Sequence, residues 1–257
     1  MLHRLREARL LGPAMMTALG LAMLLALGIW QMQRKVWKET LIATITERTK
    51  ADPVDLVGAY TATHSPAEDA IGLEYLRVKA RGHFLHDKER YFYAPDPDVG
   101  PGFNVYTPLE MSGGTVVFVN RGFVPDDKKD AATRAAGQTP GEVDVVGLVR
   151  QAGNQARFTP DNDAKNNIWF WRDIVGLKAS AFPQGRDSVI PLIIDQEKTA
   201  STGDGPKGGT TIVTLTNRHL EYAITWFGLA ITLAAVFAVF AAGRLRATDA
   251  RGAKAPR

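Results

Sequence analysis

Two long runs without a charged residue dominate the hydrophobic pattern of this chain. The first extends from Leu10 to Trp30, and the second extends from Tyr222 to Ala242. As a helix with a rise of ~1.5 Å per residue, each run is long enough to cross a hydrocarbon core of ~30 Å. The pattern therefore predicts two transmembrane helices, at residues 10–30 and 222–242.

The first run follows a basic leader, residues 1–9, so it could also be a signal peptide. We favour an uncleaved anchor, because the run exceeds the usual apolar region of ~7–15 residues and no polar, small-residue cleavage segment follows it. The residues from Gln31 to Lys50 are expected to continue the helix beyond the membrane, until Pro53 ends it.

Between the spans, residues 31–221 contain several short segments in which apolar and polar residues alternate with period two. These segments are EYLRVKARGHF, TVVFVNRGFV, EVDVVGLVRQA, VIPLIID and TTIVTLTN. Period two is typical of strands, and turn-rich stretches such as APDPDVGPG separate the segments. A short helix is expected in VPDDKKDAATRAAGQ. We therefore predict a membrane protein of the α+β class, in which the two helices flank one antiparallel β-rich domain, a small barrel or a sandwich.

Lysine and arginine residues near the spans predict the orientation of the chain. The tail of residues 243–257 is basic, so we expect it to be cytoplasmic together with the leader, and residues 31–221 to be periplasmic. The leader is too short for a mitochondrial transit peptide, which favours the inner membrane of a bacterium. Arg34, Lys35 and Lys38 lie at the wrong end of the first span for this orientation and need another explanation.

The composition argues against several kinds of chemistry. The chain has no cysteine, so it has no thiolate metal site and no cysteine nucleophile. It also has no G-x-S-x-G elbow, phosphate-binding glycine loop or H-E-x-x-H pair, and we expect no enzymatic activity. The net charge of +4 comes partly from the membrane flanks, and no interleaved basic and aromatic residues indicate a nucleic-acid partner.

Two histidines in the predicted domain, His83 and His86, do not form a metal site by this reasoning. Their odd separation would place them on opposite faces of a strand, and no third ligand lies at a suitable spacing.

Each span carries alanine at every fourth position. The rows are Ala14, Ala18, Ala22 and Ala26 in the first span, and Ala230, Ala234, Ala238 and Ala242 in the second. Residues four apart lie on one face of a helix, so each row would let another helix approach closely. Either the spans use these rows to pack on each other or on the helices of a partner, or alanine is merely common in such spans.

Several longer stretches carry a family resemblance. In chain order they are LGIWQMQRKVWKETLI, GFNVYTPLEM followed by VVFVNRGFVP, NNIWFWRDI and NRHLEYAITWFGLA. Together they resemble the Surfeit locus protein 1 family, assembly factors for cytochrome c oxidase, over most of the chain. Phe123 departs from the family, which more often has tryptophan at this position.

The resemblance implies a non-enzymatic role in the maturation of subunit I of the oxidase. Bacterial members resemble carriers or stabilisers of haem a, so the implied partners are subunit I, the haem a synthesis machinery and membrane lipids. The family's candidate iron ligand is the histidine of the motif N-x-H-L-x-Y-A, which is His219 in this sequence. The alternative is a protein-only membrane scaffold that stabilises nascent subunit I without carrying haem.

The residues near His219 fit a haem site on physical grounds as well. A neutral imidazole at the membrane interface can ligate haem iron, and cations at the same depth can pair with the propionates. The cofactor-binding residues that we predict are His219, Arg34, Arg218, Trp30, Tyr222 and Trp226, with Lys35 as a further cation and Trp37 as a further aromatic residue.

Helical spacing places three of these residues on one face of each span, and the two faces could form a flat pocket between the helices. The faces are Trp30, Arg34 and Trp37 on the first span and His219, Tyr222 and Trp226 on the second. Each residue also has an ordinary interpretation. His219 could be an interfacial helix cap, the cations could bind lipid head groups, and the tryptophan and tyrosine residues could belong to an aromatic belt.

Overall fold

The computed structural model describes residues 10–62, 70–198, 205–209 and 216–252. The chain forms two compact units, residues 1–44 with 214–257, and residues 45–213. The helices are α1 (Leu11–Lys50), α2 (Leu56–Ala62), α3 (Ala70–Leu73), α4 (Ile174–Ala181) and α5 (His219–Gly252). The strands are β1 (Val54–Asp55), β2 (Arg77–Phe84), β3 (Arg90–Tyr93), β4 (Gly102–Met111), β5 (Val116–Pro125), β6 (Glu142–Arg150), β7 (Ile168–Trp169) and β8 (Val189–Gln196).

Helices α1 and α5 are both long and apolar enough to cross a membrane. Helix α1 is continuous over 40 residues and ends at Lys50, three residues before Pro53. At a rise of ~1.5 Å per residue it is ~60 Å long, so it extends well beyond a ~30 Å hydrocarbon core. The two apolar helices indicate a membrane protein.

The two helices pack against each other as an antiparallel pair. A Cβ atom added at Gly28 would lie 2.5 Å from the Phe227 ring, and one added at Gly20 would lie 2.9 Å from Leu233. As the position on α1 moves towards the N-terminus, its partner on α5 moves towards the C-terminus, which defines the antiparallel arrangement. The contact is close because glycine has no side chain, as is common between helices in membranes.

The alanine rows are not the surface through which these two helices meet. Ala230 is buried, but the other alanines of the second row are exposed, as are Ala18, Ala22 and Ala26 of the first row. The spans do pack on each other, which was one of the two alternatives for the alanine rows. The contact, however, is made mainly by glycine and larger apolar side chains.

The second unit contains a closed β-barrel. The sheet order is β1-β2-β6-β8-β5-β4-β3-β7, and an additional pairing joins β2 to β4. Gly82 of β2 lies opposite Met111 of β4, and this pairing closes the ring β2-β6-β8-β5-β4. The predicted combination of two terminal helices and a small barrel is therefore confirmed. The pairs β1–β2, β3–β7 and β5–β8 are parallel, so the sheet is mixed rather than purely antiparallel.

Four of the predicted strands correspond to β2, β5, β6 and β8. Strand β4 was not predicted, because its sequence has no regular alternation and contains Pro108; eight of its ten residues are buried. In the predicted strand TTIVTLTN, residues 210–215 lie outside the described residues, and Thr216 and Asn217 are not in a strand. The barrel core contains buried aliphatic side chains from several strands, including Val78, Leu109, Val119, Val149, Leu192 and Ile194.

Candidate functional site

The start of α5 is fixed against α1 by Asn217. The Asn217 Oδ1 atom accepts a hydrogen bond from the backbone N–H of His219 at 3.3 Å. Its Nδ2 atom donates to the Lys35 carbonyl oxygen of α1 at 3.4 Å. Asparagine is a favoured residue in front of a helix because its side chain satisfies one of the free N–H groups there. One side chain therefore caps α5 and also links it to α1.

The imidazole of His219 contacts the other helix through Gln31. The Nδ1 atom of His219 lies 2.7 Å from Oε1 of Gln31. An amide oxygen accepts but does not donate, so a hydrogen bond here places the proton on Nδ1 and leaves the lone pair on Nε2. Nε2 has no hydrogen-bond partner within residues 10–62, 70–198, 205–209 and 216–252. A half-buried imidazole that donates from Nδ1 and leaves Nε2 without a partner in the described ranges is a suitable haem-iron ligand.

The three predicted partners of haem propionates differ in their surroundings. Arg218 forms an ion pair with Glu221 at 3.1 Å, and Lys35 pairs with Glu39 at 2.8 Å. The guanidinium of Arg34 instead lies 3.8 Å from the centre of the Trp37 ring, and no described carboxylate pairs with it. Arg34 is therefore the best placed of the three for an external anion, and the prediction for Arg218 is weakened by its own carboxylate partner.

The aromatic residues line an open side of the helix pair. Trp30, Trp37 and Tyr222 are exposed by 53%, 48% and 54%. Each residue turns a helix by about 100°, because one turn takes ~3.6 residues. Gln31 and His219 lie in the contact between the helices, and Arg34 and Tyr222 each follow one of them by three residues. Because α1 and α5 run in opposite directions, this equal rotation directs Arg34 and Tyr222 to the same side of the pair. We call Trp30, Arg34, Trp37 and Tyr222 the aromatic flank.

In the structure these aromatic residues lie along an open side of the helix pair, and the flat pocket that they could form stays a prediction. Trp226 is the exception, since it is half-buried, and its indole Nε1 is buried without a hydrogen-bond partner in the described part of the chain. The structure brings His219 and Trp226 into the helix contact and leaves the aromatic flank accessible.

Sequence reasoning missed Gln31, although a signal was present. Gln31 is the first polar residue after the uncharged run of the first span. His219 lies shortly before the uncharged run of the second span. In an antiparallel pair these two positions lie at the same level, where two polar side chains are expected to meet.

A second polar centre lies inside the barrel unit, around Glu89. The Glu89 side chain is 2% exposed and forms ion pairs with Arg134, which is fully buried, and with Arg121 at 3.4 Å. His86 Nδ1 lies 3.6 Å from the same carboxylate. The Tyr91 hydroxyl donates to it at 3.2 Å. We call Glu89, Arg121, Arg134, His86 and Tyr91 the Glu89 cluster.

Arg134 also explains why the predicted short helix is irregular. The stretch forms two 3-10 segments, Asp126–Lys128 and Ala131–Gly137, and the second has a non-helical backbone at Arg134 with φ of −135°. Its guanidinium turns inward to Glu89, and its Nε atom donates to the Lys128 carbonyl at 3.0 Å. The backbone therefore departs from a regular α-helix at Arg134, where the side chain forms this buried ion pair.

The cluster has the character of a structural ion pair rather than a metal site. In the described ranges, no group of three or more histidine, cysteine, aspartate or glutamate side chains could hold a metal ion. His86 belongs to the cluster, whereas His83 is exposed on β2. Arg121 and Arg134 carry two positive charges against the one of Glu89, so the carboxylate is strongly favoured in its ionised form.

The sequence profile of the SURF1 family matches residues 18–231. The chain belongs to the SURF1 family. Surfeit locus protein 1 of Rattus norvegicus is 42% identical over 220 residues, which cover 79% of this chain and 67% of the relative. The Homo sapiens protein of the same name is 39% identical over 222 residues, covering 79% and 69%. A SURF1-like protein of Drosophila melanogaster is 35% identical over 221 residues, covering 79% and 69%.

The family assignment confirms the resemblance seen in the sequence. The matched range of the SURF1 family begins within α1 and ends within α5, so it contains Gln31, Arg34 and His219 as well as the Glu89 cluster. Both polar centres described above therefore lie within the part of the chain that defines its family.

The Glu89 cluster of this SURF1 family member predicts a pH dependence of stability. Burial alone would raise the pKa of Glu89, but the contacts from His86 and Arg134 and the charges of Arg134 and Arg121 lower it to about 2. The pKa in the unfolded chain is higher, so the carboxylate stabilises the fold fully above pH ~4.5, and this contribution is lost as the pH falls towards ~2.

Denaturant titrations of the detergent-solubilised protein, followed by tryptophan fluorescence, would measure this effect. We expect the free energy of unfolding to decrease between pH ~5 and pH ~3, with a smaller decrease in Glu89→Gln, which has no carboxylate to protonate at this position. Equal pH dependence in both proteins would contradict the role assigned to Glu89.

Proposed function

We propose that this SURF1 family protein is an assembly factor for cytochrome c oxidase, which binds haem a through His219 and passes it to subunit I. The observation that carries this proposal is the imidazole of His219, whose Nδ1 contacts Gln31 while Nε2 has no partner among the described residues. Membership of the SURF1 family supports the pathway, and the geometry of the helix pair supports the ligand.

The residues near His219 fit haem a as a cargo. Nε2 of His219 would ligate the iron, and the unpaired guanidinium of Arg34 would neutralise a propionate. Trp30 and Tyr222 of the aromatic flank would cover part of the porphyrin, and the lipid beside the spans would accept the farnesyl tail. Arg218 would contribute less than Arg34, because Glu221 already neutralises it. No step in this role requires catalysis by the protein.

The proposed location is the inner membrane of a bacterium, with both termini in the cytoplasm and the barrel in the periplasm. The basic tail of residues 243–257 supports this orientation. The site would then lie at the periplasmic surface of the membrane. The preference of lysine and arginine for the cytoplasmic side does not explain Arg34 at that surface. A role as the partner of an anion would explain it.

A second candidate is a protein-only scaffold that stabilises nascent subunit I without haem. Two observations support it. The hydrogen bond between Gln31 and His219 already gives the histidine a structural role, because it links the two spans. In addition, the exposed alanines Ala18, Ala22 and Ala26 leave a surface on α1 that a helix of subunit I could approach closely.

Purification from cells that synthesise haem a distinguishes the two candidates. A carrier is expected to copurify with about one haem a per protein, whether or not subunit I is expressed in the same cells. A scaffold is expected to copurify with subunit I but without stoichiometric haem. Protein from cells that lack haem a synthesis provides the matched blank. Copurification of subunit I with no haem a in any preparation would exclude the carrier.

A further inference from the structure

We infer that Gln31 is the positioning residue of His219, which selects the imidazole tautomer with the proton on Nδ1 and so presents Nε2 as a ligand. The selection of the tautomer is a property of the protein without haem. Its use for binding haem a rests on the proposed function. The two claims can therefore be tested separately.

Gln31 is held in place from both sides along α1. One turn before it, Gly28 lies in close contact with the Phe227 ring of α5. One turn after it, the Lys35 carbonyl accepts the hydrogen bond from Asn217. The backbone of Gln31 is thus held at the level of His219 by two independent contacts, which keeps the side-chain amide within reach of the imidazole.

His219 is fixed in the same way on α5. Asn217 caps the helix at the backbone N–H of His219, and Phe227, two turns further on, packs on Gly28. The hydrogen bond of 2.7 Å between Gln31 Oε1 and His219 Nδ1 therefore joins two backbones that are already held at this distance. Such an arrangement orients a ligand better than two side chains on mobile loops would.

The chemical consequence follows from the two ring nitrogens of histidine. A neutral imidazole has one protonated and one free nitrogen, and the hydrogen bond to one nitrogen decides which of them can bind a metal. Histidine ligands of metals almost always donate their other N–H to an acceptor, which fixes the ring and raises its basicity. Loss of that acceptor typically weakens metal affinity by ~10–100-fold. Gln31 supplies this acceptor for His219.

The tautomer of His219 can be measured directly by side-chain ¹⁵N NMR on the haem-free protein in detergent, because the two ring nitrogens give different signals when protonated and when free. The variants are Gln31→Leu, which removes the acceptor, and Gln31→Glu, which restores it. Gln33→Leu is the matched control, because Gln33 is an exposed residue of the same helix. Comparison with His219→Ala assigns the signals.

The expected result is a protonated Nδ1 in the wild type, Gln31→Glu and Gln33→Leu, and a loss of this preference in Gln31→Leu. The same tautomer in the wild type and Gln31→Leu, with both proteins folded, would overturn the inference.

A haem a titration of the same samples tests the second claim. We expect ~10–100-fold weaker binding in Gln31→Leu. If the tautomer responds to Gln31 but the wild type binds no haem a, the inference stands and the proposed function fails.

Discussion

Replacement of Glu89 by glutamine is expected to destabilise the barrel by about 3–5 kcal/mol, because it leaves two buried arginines without their carboxylate. Glutamine has nearly the same shape as glutamate, so the packing is kept, while the charge and one of the two acceptor oxygens are lost. Arg134 is fully buried and Arg121 is 8% exposed, so water cannot replace the missing charge. For a chain of this size the midpoint of thermal unfolding should fall by roughly 10 °C.

Glu110→Gln is the matched control for this experiment. Glu110 forms an ion pair with Arg186, but both side chains are partly exposed, at 36% and 26%. Exposed ion pairs contribute about 0–1 kcal/mol, so the control should change the midpoint by only a few degrees. Thermal unfolding followed by circular dichroism measures both variants. A similar shift for the two would show that the Glu89 cluster is not the main electrostatic contribution to the fold.

Replacement of Gly28 by leucine is expected to separate the helix pair near His219. A Cβ atom alone at this position would lie 2.5 Å from the Phe227 ring, so a leucine cannot fit without moving one helix. Overpacking of this kind costs ~1–3 kcal/mol or more. Because Gln31 lies about one turn away from Gly28, the hydrogen bond to His219 should be lost together with the close contact, and haem a binding should weaken at least as much as in Gln31→Leu, by ~10–100-fold.

Cysteine cross-linking can measure this separation, because the chain has no cysteine of its own. The pair Gly20→Cys and Leu233→Cys lies in the helix contact. The disulfide yield should be high in the parent pair and much lower when Gly28→Leu is added. Gly228→Leu is the control, since no atom lies within 4 Å of a Cβ atom added there. Unchanged cross-linking with Gly28→Leu would contradict the helix packing described here.

The elements whose pattern is local could be predicted from the sequence. The two uncharged runs identified α1 and α5, and the alternating segments identified β2, β5, β6 and β8. Strand β4 was missed because its sequence does not alternate regularly: the register shifts between Asn104 and Tyr106, and Pro108 is a residue that argues against a central strand. Closure of the barrel could not be predicted either. It depends on the pairing of β2 with β4, and the sequence of a single strand does not show which other strand it will pair with.

The same distinction applies to the two polar centres. Helical spacing grouped Trp30, Arg34 and Trp37 correctly, because spacing along one helix determines a shared face. The partner of His219 is on the other helix, 188 positions away. The sequence shows that Gln31 and His219 lie beside the ends of the two uncharged runs, but the packing of the spans is needed to pair them. The Glu89 cluster was missed for this reason too, since Arg121 and Arg134 lie 32 and 45 residues from Glu89.

The central claim is that His219 ligates haem a, and the absorption spectrum of the purified protein tests it most directly. The protein would be coexpressed with haem a synthesis enzymes and purified in detergent as the wild type, His219→Ala and His83→Ala. His83 is exposed on the barrel and serves as the histidine control. We predict a Soret band of about one haem a per protein in the wild type and His83→Ala, and its loss in His219→Ala. An unchanged spectrum in His219→Ala, or a wild type without a Soret band, would contradict the account.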